Sequence, residues 1–482
     1  MIGGWQLIVL LIMAHAPLNL IWGAVPTALQ FGGLVATPLA LAIAGLILMA
    51  FSVAYGGMAR RIQHRGGISA FIAHGLGPFT AIGSSFVAML SYTILLASLI
   101  MLMCGSAIGL IMSLFNVRVS ISVCILVGTA AVMVLERLRL QTLVRVLIVF
   151  ALAQAAVVVW FDVTAVSQPA GGSVSFAALD PSGLLTGSLG LTLSLAVTAF
   201  VGSETAASYV DEVEQPRRTI PRATLISYAA TTVAIVVSTW AITVAVGPQN
   251  TVAAAQGQLQ SQTSGAGQPF VLSVILQLVG PRHASMVADL AIATLILGCL
   301  AGGAMNANAV SRQLSALAGD GVLPAAMKPR PDGLAPNRTG FLAPIAAGIL
   351  ALIVANTNPS TLVLYLVTTA GLGVLGVLAL TSLATVVWFL RTDDEEAGFF
   401  GWEGQVVAAG LAMVTTGFLF FFGLYRLPDV LPNGETYGWV LWAAPGIAFF
   451  SGLVVAAVVR IRQPEVLARV GKRSARAPAF PA

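Results

Sequence analysis

Apolar residues run through this chain in stretches of about 20 or more, the length needed to cross a bilayer, separated by short clusters of charge, proline and glycine. Setting boundaries at those breaks predicts twelve helices, at roughly 5–29, 34–58, 78–113, 119–135, 141–161, 184–210, 222–247, 286–318, 341–356, 361–390, 404–425 and 437–459. The third, eighth and tenth exceed what a bilayer demands and are expected to tilt or to project into water. The first run has no basic leader and no processing site, so it reads as a span rather than a cleaved signal.

Composition fits only that reading. Of 482 residues, 58% are hydrophobic and 9% are Asp, Glu, Lys or Arg, against roughly a quarter charged in soluble domains. The expected class is an all-α polytopic membrane protein. The net charge of +5 is spread over short loops, so no contiguous basic face for nucleic acid is expected. Cys104, Cys124 and Cys299 sit in apolar runs without metal-ligand or pairing spacing and read as small buried hydrophobes.

Of the 23 Lys and Arg, all but Arg118, Arg282 and Arg426 fall on one side of this topology. That asymmetry places both termini in the cytoplasm. The segment from Arg460 onward is basic and is expected to be a disordered, lipid-facing tail. Thr392 to Gly398 reads as an acidic cytoplasmic turn, and Asn250 to Pro269 as a polar external segment with room for a short helix over the mouth.

Two spans break the apolar rule in matching ways. The first contains "HAPLNLIWGAVP", with His15, Pro17, Asn19, Gly23 and Pro26. The sixth contains "TAFVGSETAAS", with Phe200, Gly202, Ser203 and Glu204. Pro17 removes a backbone donor, and Gly202 lets the chain leave helical geometry at little cost. Backbone freed inside a membrane must face protein or a water-filled cavity. Interruptions at the first position of each of two five-helix halves point to a transporter site built from inverted repeats. The competing reading is a proline kink and a packing glycine in an ordinary bundle.

The stretch Phe200 to Ala223, "FVGSETAASYVDEVEQPRRTIPRA", resembles the sixth-helix signature of the amino acid–polyamine–organocation (APC) superfamily of permeases, with Phe200, Gly202, Glu204, Glu212, Pro216, Arg218, Ile220 and Pro221 in its places. "GGISAFIAHGLGP" (Gly66 to Pro78) is similar to the loop before helix three of that family, and "SRQLSALAGDGVLP" (Ser311 to Pro324) to the end of helix eight. The resemblance implies a five-plus-five inverted repeat with two additional C-terminal helices. The domains would be a core over roughly 1–391 (repeats about 5–161 and 184–390), two accessory helices over 392–459 and a tail over 460–482. It also implies secondary transport of amino acids or related amines. Rivals are polyamines, other organic amines or inorganic cations as cargo, or a sensor that binds without translocating. The Pro-started first helix resembles some bacterial members, so a bacterial cytoplasmic membrane is expected.

The expected partners are a small-molecule substrate and membrane lipids, with no cofactor, no metal and no enzymatic activity. Substrate is expected near Pro17, Asn19, Gly23, Phe200, Gly202 and Ser203, with Ser91, Tyr92 and Asn306 in the wall. Helix five lacks the Lys of proton-coupled members, with Gln154 its strongly polar residue, and Leu295 to Ala309 contains no Ser or Thr to bind sodium. The remaining titratable groups near the cavity are Glu204 and His15, so proton-linked transport or exchange is expected. Glu204 reads either as the proton carrier or as a cap on the inner half-helix. "GLGVLG" (Gly371 to Gly376) lies within a helical run with no strand before it, and reads as helix packing rather than a dinucleotide loop.

Overall fold

The computed structural model describes residues 1–263, 269–280, 282–328, 338–357, 359–392, 401–426 and 439–472. The helices are α1 (Gly4–Gly32, interrupted), α2 (Thr37–Arg61), α3 (Ile68–Leu76), α4 (Pro78–Phe115), α5 (Ile121–Glu136), α6 (Leu140–Ser167), α7 (Leu189–Ala199), α8 (Pro216–Val246), α9 (Thr251–Thr263), α10 (Phe270–Val279), α11 (Ala284–Asp320), α12 (Leu342–Ala355), α13 (Pro359–Arg391), α14 (Gly401–Arg426), α15 (Trp439–Arg462) and α16 (Pro464–Arg469). Among the described residues, nine helices are long and apolar enough to span a membrane, and Ile121–Glu136 and Thr339–Ala355 are shorter apolar helices. This is a multi-pass membrane protein. Its outward side chains include Leu126, Leu152, Phe418, Phe421 and Phe450, which suit lipid and not water.

The long third, eighth and tenth spans are 38, 37 and 33 residues. At 1.5 Å per residue the first of these reaches about 57 Å, well past the roughly 30 Å hydrocarbon core.

The sixth span departs from the predicted continuous helix over 184–210. Its helix α7 ends at Ala199, and after Gly202 the chain resumes as a 3-10 turn over Ser203–Tyr209. Gly202 has φ 140°, which side chains disfavour, and a Cβ there would lie 2.6 Å from the Ala14 Cβ. The first span is interrupted at Ala16, in the left-handed region at φ 48°. Pro17 explains this, because a residue before proline is pushed out of right-handed helical geometry. Beyond it α1 continues through two π-helical stretches, Leu20–Ala24 and Ala28–Gly32. The two interruptions meet through Gly202 and Ala14.

Small residues set the other close approaches. On α2, Gly45 receives Thr232 of α8, and a Cβ on Gly56 would lie 3.0 Å from Pro221. Such contacts replace the hydrophobic driving force that lipid does not supply. Gly373 and Gly376 of α13 pack against Ser91 and Phe420, which gives the "GLGVLG" stretch the packing role expected of it. Helix α9 falls within the predicted external segment, where Gln30 donates to the Ala255 carbonyl (3.0 Å) and Gln256 to the Gln30 carbonyl (3.1 Å). Residues 264–268 of that segment, and nearly all of the acidic turn, lie outside the described residues.

Ile2 and the segment Pro464–Lys472 pack on one end of the bundle. Ile2 forms a parallel bridge with Val213, with the Ile2 N–H on the Glu212 carbonyl at 2.7 Å. The basic tail is not a disordered extension up to residue 472. Leu467 and Val470 are buried, and the Gly471 N–H donates to Asp320 Oδ2 at 3.1 Å. Asp320 Oδ1 meets His64 Nε2 at 3.1 Å. His64 Nδ1 accepts from the Gly66 N–H at 3.0 Å, so the ring proton sits on Nε2, facing the carboxylate. Two apolar residues three apart and a glycine that fits against α3 anchor the segment despite its arginines. Residues 473–482 lie outside the description.

Candidate functional site

Glu204 is fully buried where the sixth span breaks. Its Oε1 accepts from the Tyr92 hydroxyl at 2.5 Å. Its Oε2 accepts from the Gly202 N–H at 2.7 Å and from the Tyr228 hydroxyl at 3.3 Å. Its backbone carbonyl accepts from the Tyr55 hydroxyl at 2.9 Å, and Tyr55 in turn accepts from the Ala207 N–H at 2.7 Å. Helices α2, α4 and α8 thus each send a tyrosine to this one residue. Three donors match the acceptor capacity of an ionised carboxylate. A protonated carboxyl would force one phenol to turn round and accept.

His15 closes the first segment of α1 and is 3% exposed. Its Nδ1 lies 2.9 Å from Thr231 Oγ1 and its Nε2 3.0 Å from Ser203 Oγ. Ser203 Oγ is also 2.6 Å from Ser227 Oγ, and Ser227 donates to the Thr224 carbonyl at 2.9 Å. Ser227 having spent its proton, Ser203 donates to Ser227 and accepts from His15 Nε2–H. The neutral ring then carries a lone pair on Nδ1, which takes the Thr231 hydroxyl proton. A second proton on the ring requires Thr231 to rotate and accept instead. The His15 ring stacks on Tyr228 (centroids 5.5 Å apart, 23° between planes) and meets the edge of Phe200 (6.3 Å, 74°). The Glu204 and His15 networks therefore share Tyr228.

Of the residues singled out in the sequence, His15, Phe200, Gly202, Ser203, Glu204 and Tyr92 come together. Pro17 sets the interruption beside them. Asn19 is buried next door, with neither its amide nitrogen nor its oxygen hydrogen-bonded. A Cβ on Gly298 would lie 2.7 Å from Asn19 Oδ1 and 3.1 Å from Gln154 Oε1. Gly23 is exposed, with open space where a Cβ would lie. Ser91 packs on Gly373, and Asn306 donates to the Gly302 carbonyl of its own helix at 2.9 Å. Sequence reasoning missed Tyr55, Tyr228, Ser227 and Thr231. The last three lie within about one turn of α8, on a polar stripe that sequence could have flagged.

A family model described as "Amino acid permease" matches residues 2–452. The chain belongs to the amino acid permease family. It is accordingly a member of the APC superfamily and a membrane transporter with a small-molecule substrate. No curated protein matches the permease. The matched span takes in both interruptions, all three tyrosines on Glu204 and the His15 relay.

Proposed function

We propose that this permease moves amino acids or related amines across a bacterial cytoplasmic membrane by proton-linked transport or exchange, with Glu204 as the proton carrier and His15 as its neighbour in the relay. The nine long helices, the interrupted sixth span and the two shorter apolar helices read as twelve spans in a five-plus-five repeat with two accessory helices. The termini end is the cytoplasmic end. Substrate binds between the first and sixth spans, where broken backbone offers groups to its carboxylate and ammonium.

The observation that carries this reading is the Glu204 carboxyl, buried at a helix break and held by three donors from two neighbouring helices and its own backbone turn. Such a group changes charge only by exchanging a proton, and doing so reverses a phenol that belongs to another helix. A second reading rests on the Gly202 N–H bond, which is also what a structural cap would make. Uptake into liposomes under an imposed pH gradient or sodium gradient separates the two. The proton-linked reading expects accumulation driven by the pH gradient and lost in Glu204→Gln. Uptake driven by sodium alone, or a Gln variant that still concentrates substrate, defeats it and leaves Glu204 a cap.

A further inference from the structure

Arg312 lies on α11, one turn beyond Asn308, toward the end of the bundle where Ile2 and the segment Pro464–Lys472 pack. Its Nε donates to Asn308 Oδ1 at 2.5 Å and its Nη1 to the Ser208 carbonyl at 3.1 Å. The guanidinium sits 3.8 Å over the Tyr209 ring, and the Tyr209 hydroxyl also donates to Asn308 Oδ1 at 3.1 Å. Its Nη2 is 2.7 Å from Glu212 Oε2. That oxygen has no aligned hydrogen bond, so the contact is one of charge. Ser208, Tyr209 and Glu212 all belong to the inner end of the broken sixth span. Arg312 therefore ties that segment to α11.

A second acid also faces Arg312. Glu136, the last residue of α5, is 1% exposed and neither of its carboxylate oxygens has a hydrogen-bond partner. The groups facing it are Arg312 and Asn308. The ionisable groups facing Arg312 are Glu212, Tyr209 and Glu136. A buried carboxylate faced by Asn308 and Arg312 yet without an aligned hydrogen bond is costly, and in a native structure it calls for an explanation.

We propose that Arg312 is a two-position latch: Glu212 and the sixth-span turn hold it in the arrangement seen here, and Glu136 takes it when that turn moves away. The inference rests on the transporter reading for the motion itself. If the turn left with no second acid nearby, the part-buried guanidinium would be stranded, and the open arrangement would be penalised. Glu136 removes that penalty and gives the element two discrete states, which a conformational switch requires. Glu212 thus favours one state and Glu136 the other.

The test is thiol labelling of Ser208→Cys in the full-length protein in nanodiscs, without substrate, against the parent chain with its own three cysteines as baseline. The latch expects Glu212→Gln to label about tenfold faster and Glu136→Gln about tenfold slower, each mutation having removed the acid that favours one state. Opposite signs distinguish a latch from a static ion-pair cluster, in which either loss loosens the end and both rates rise. A Glu136→Gln rate equal to or above that of Ser208→Cys alone overturns the proposal. If Glu136→Gln yields no folded protein, Glu136→Asp, which keeps the charge but shortens its reach, takes its place: slower labelling than Ser208→Cys alone is expected, and a rate equal to or above it overturns the latch. Because the readout needs no substrate or gradient, failed uptake would leave this result standing.

Discussion

The two interrupted spans reach similar shapes by different physics. In the first, an alanine leaves right-handed helical geometry because proline follows it, and it sits at φ 48°. In the sixth, a glycine adopts φ 140° with the Ala14 methyl 2.6 Å from where its own Cβ would be. The first interruption is imposed from within its own helix. The second is imposed jointly by backbone geometry and by a neighbour that leaves no room. The first should therefore tolerate changes of side chain at the break, whereas the second should not.

The sharpest way to break that comparison is Gly202→Ala. Holding a side chain at this φ costs about 1–3 kcal/mol, and overpacking against Ala14 adds about 1–3 kcal/mol. Thermal unfolding in detergent should show a loss of several degrees or more, together with loss of substrate binding. A variant as stable as the parent would mean that Ala14 and the sixth span move apart freely, and the two breaks would not be coupled.

Next in size is Pro17→Ala. Proline inside a helix is disfavoured by about 3 kcal/mol relative to alanine, so this substitution removes the reason for Ala16 to leave helical geometry. The expected outcome is a melting temperature equal to or above the parent's, with liposome uptake reduced severalfold as the first span straightens. Full uptake would show that the packing of α1 on α11, where a Cβ on Gly302 would lie 3.4 Å from the Ala16 methyl, holds the break without help from proline.

Much of this was legible in the sequence, for reasons that explain what was not. Proline and glycine act on the backbone locally, so Pro17 and Gly202 announced the two breaks directly. Glu204 stood out because an acid within an apolar run must find partners. Its partners were harder to see. A tyrosine such as Tyr55 or Tyr228 on an apolar helix looks like packing until a three-dimensional neighbour gives its hydroxyl a use. Gly23 looked like part of the first break, yet π-helical turns carry the chain through it. Asn306 and Ser91 fell in the expected helices, but spacing alone does not fix rotation about a helix axis. The tail's arginines concealed the Leu467–Val470 pair that docks it.

The smallest expected effect is the most discriminating. Ala16→Gly relieves left-handed strain of about 1–2 kcal/mol. It also adds unfolded-state freedom worth about 0.5–1 kcal/mol and removes a buried methyl worth about 0.8 kcal/mol. Ala16 is 2% exposed, so the methyl does count. These contributions nearly cancel, and a shift in melting temperature of no more than a degree or two is expected, with uptake close to the parent's. A break that depends on proline alone should not notice whether alanine or glycine precedes it. A large loss of stability in Ala16→Gly would show instead that the alanine methyl, wedged against Gly302, positions the end of the first segment. His15 would then owe its place beside Ser203 to that contact, and the first interruption would be set by a neighbour, as the sixth is.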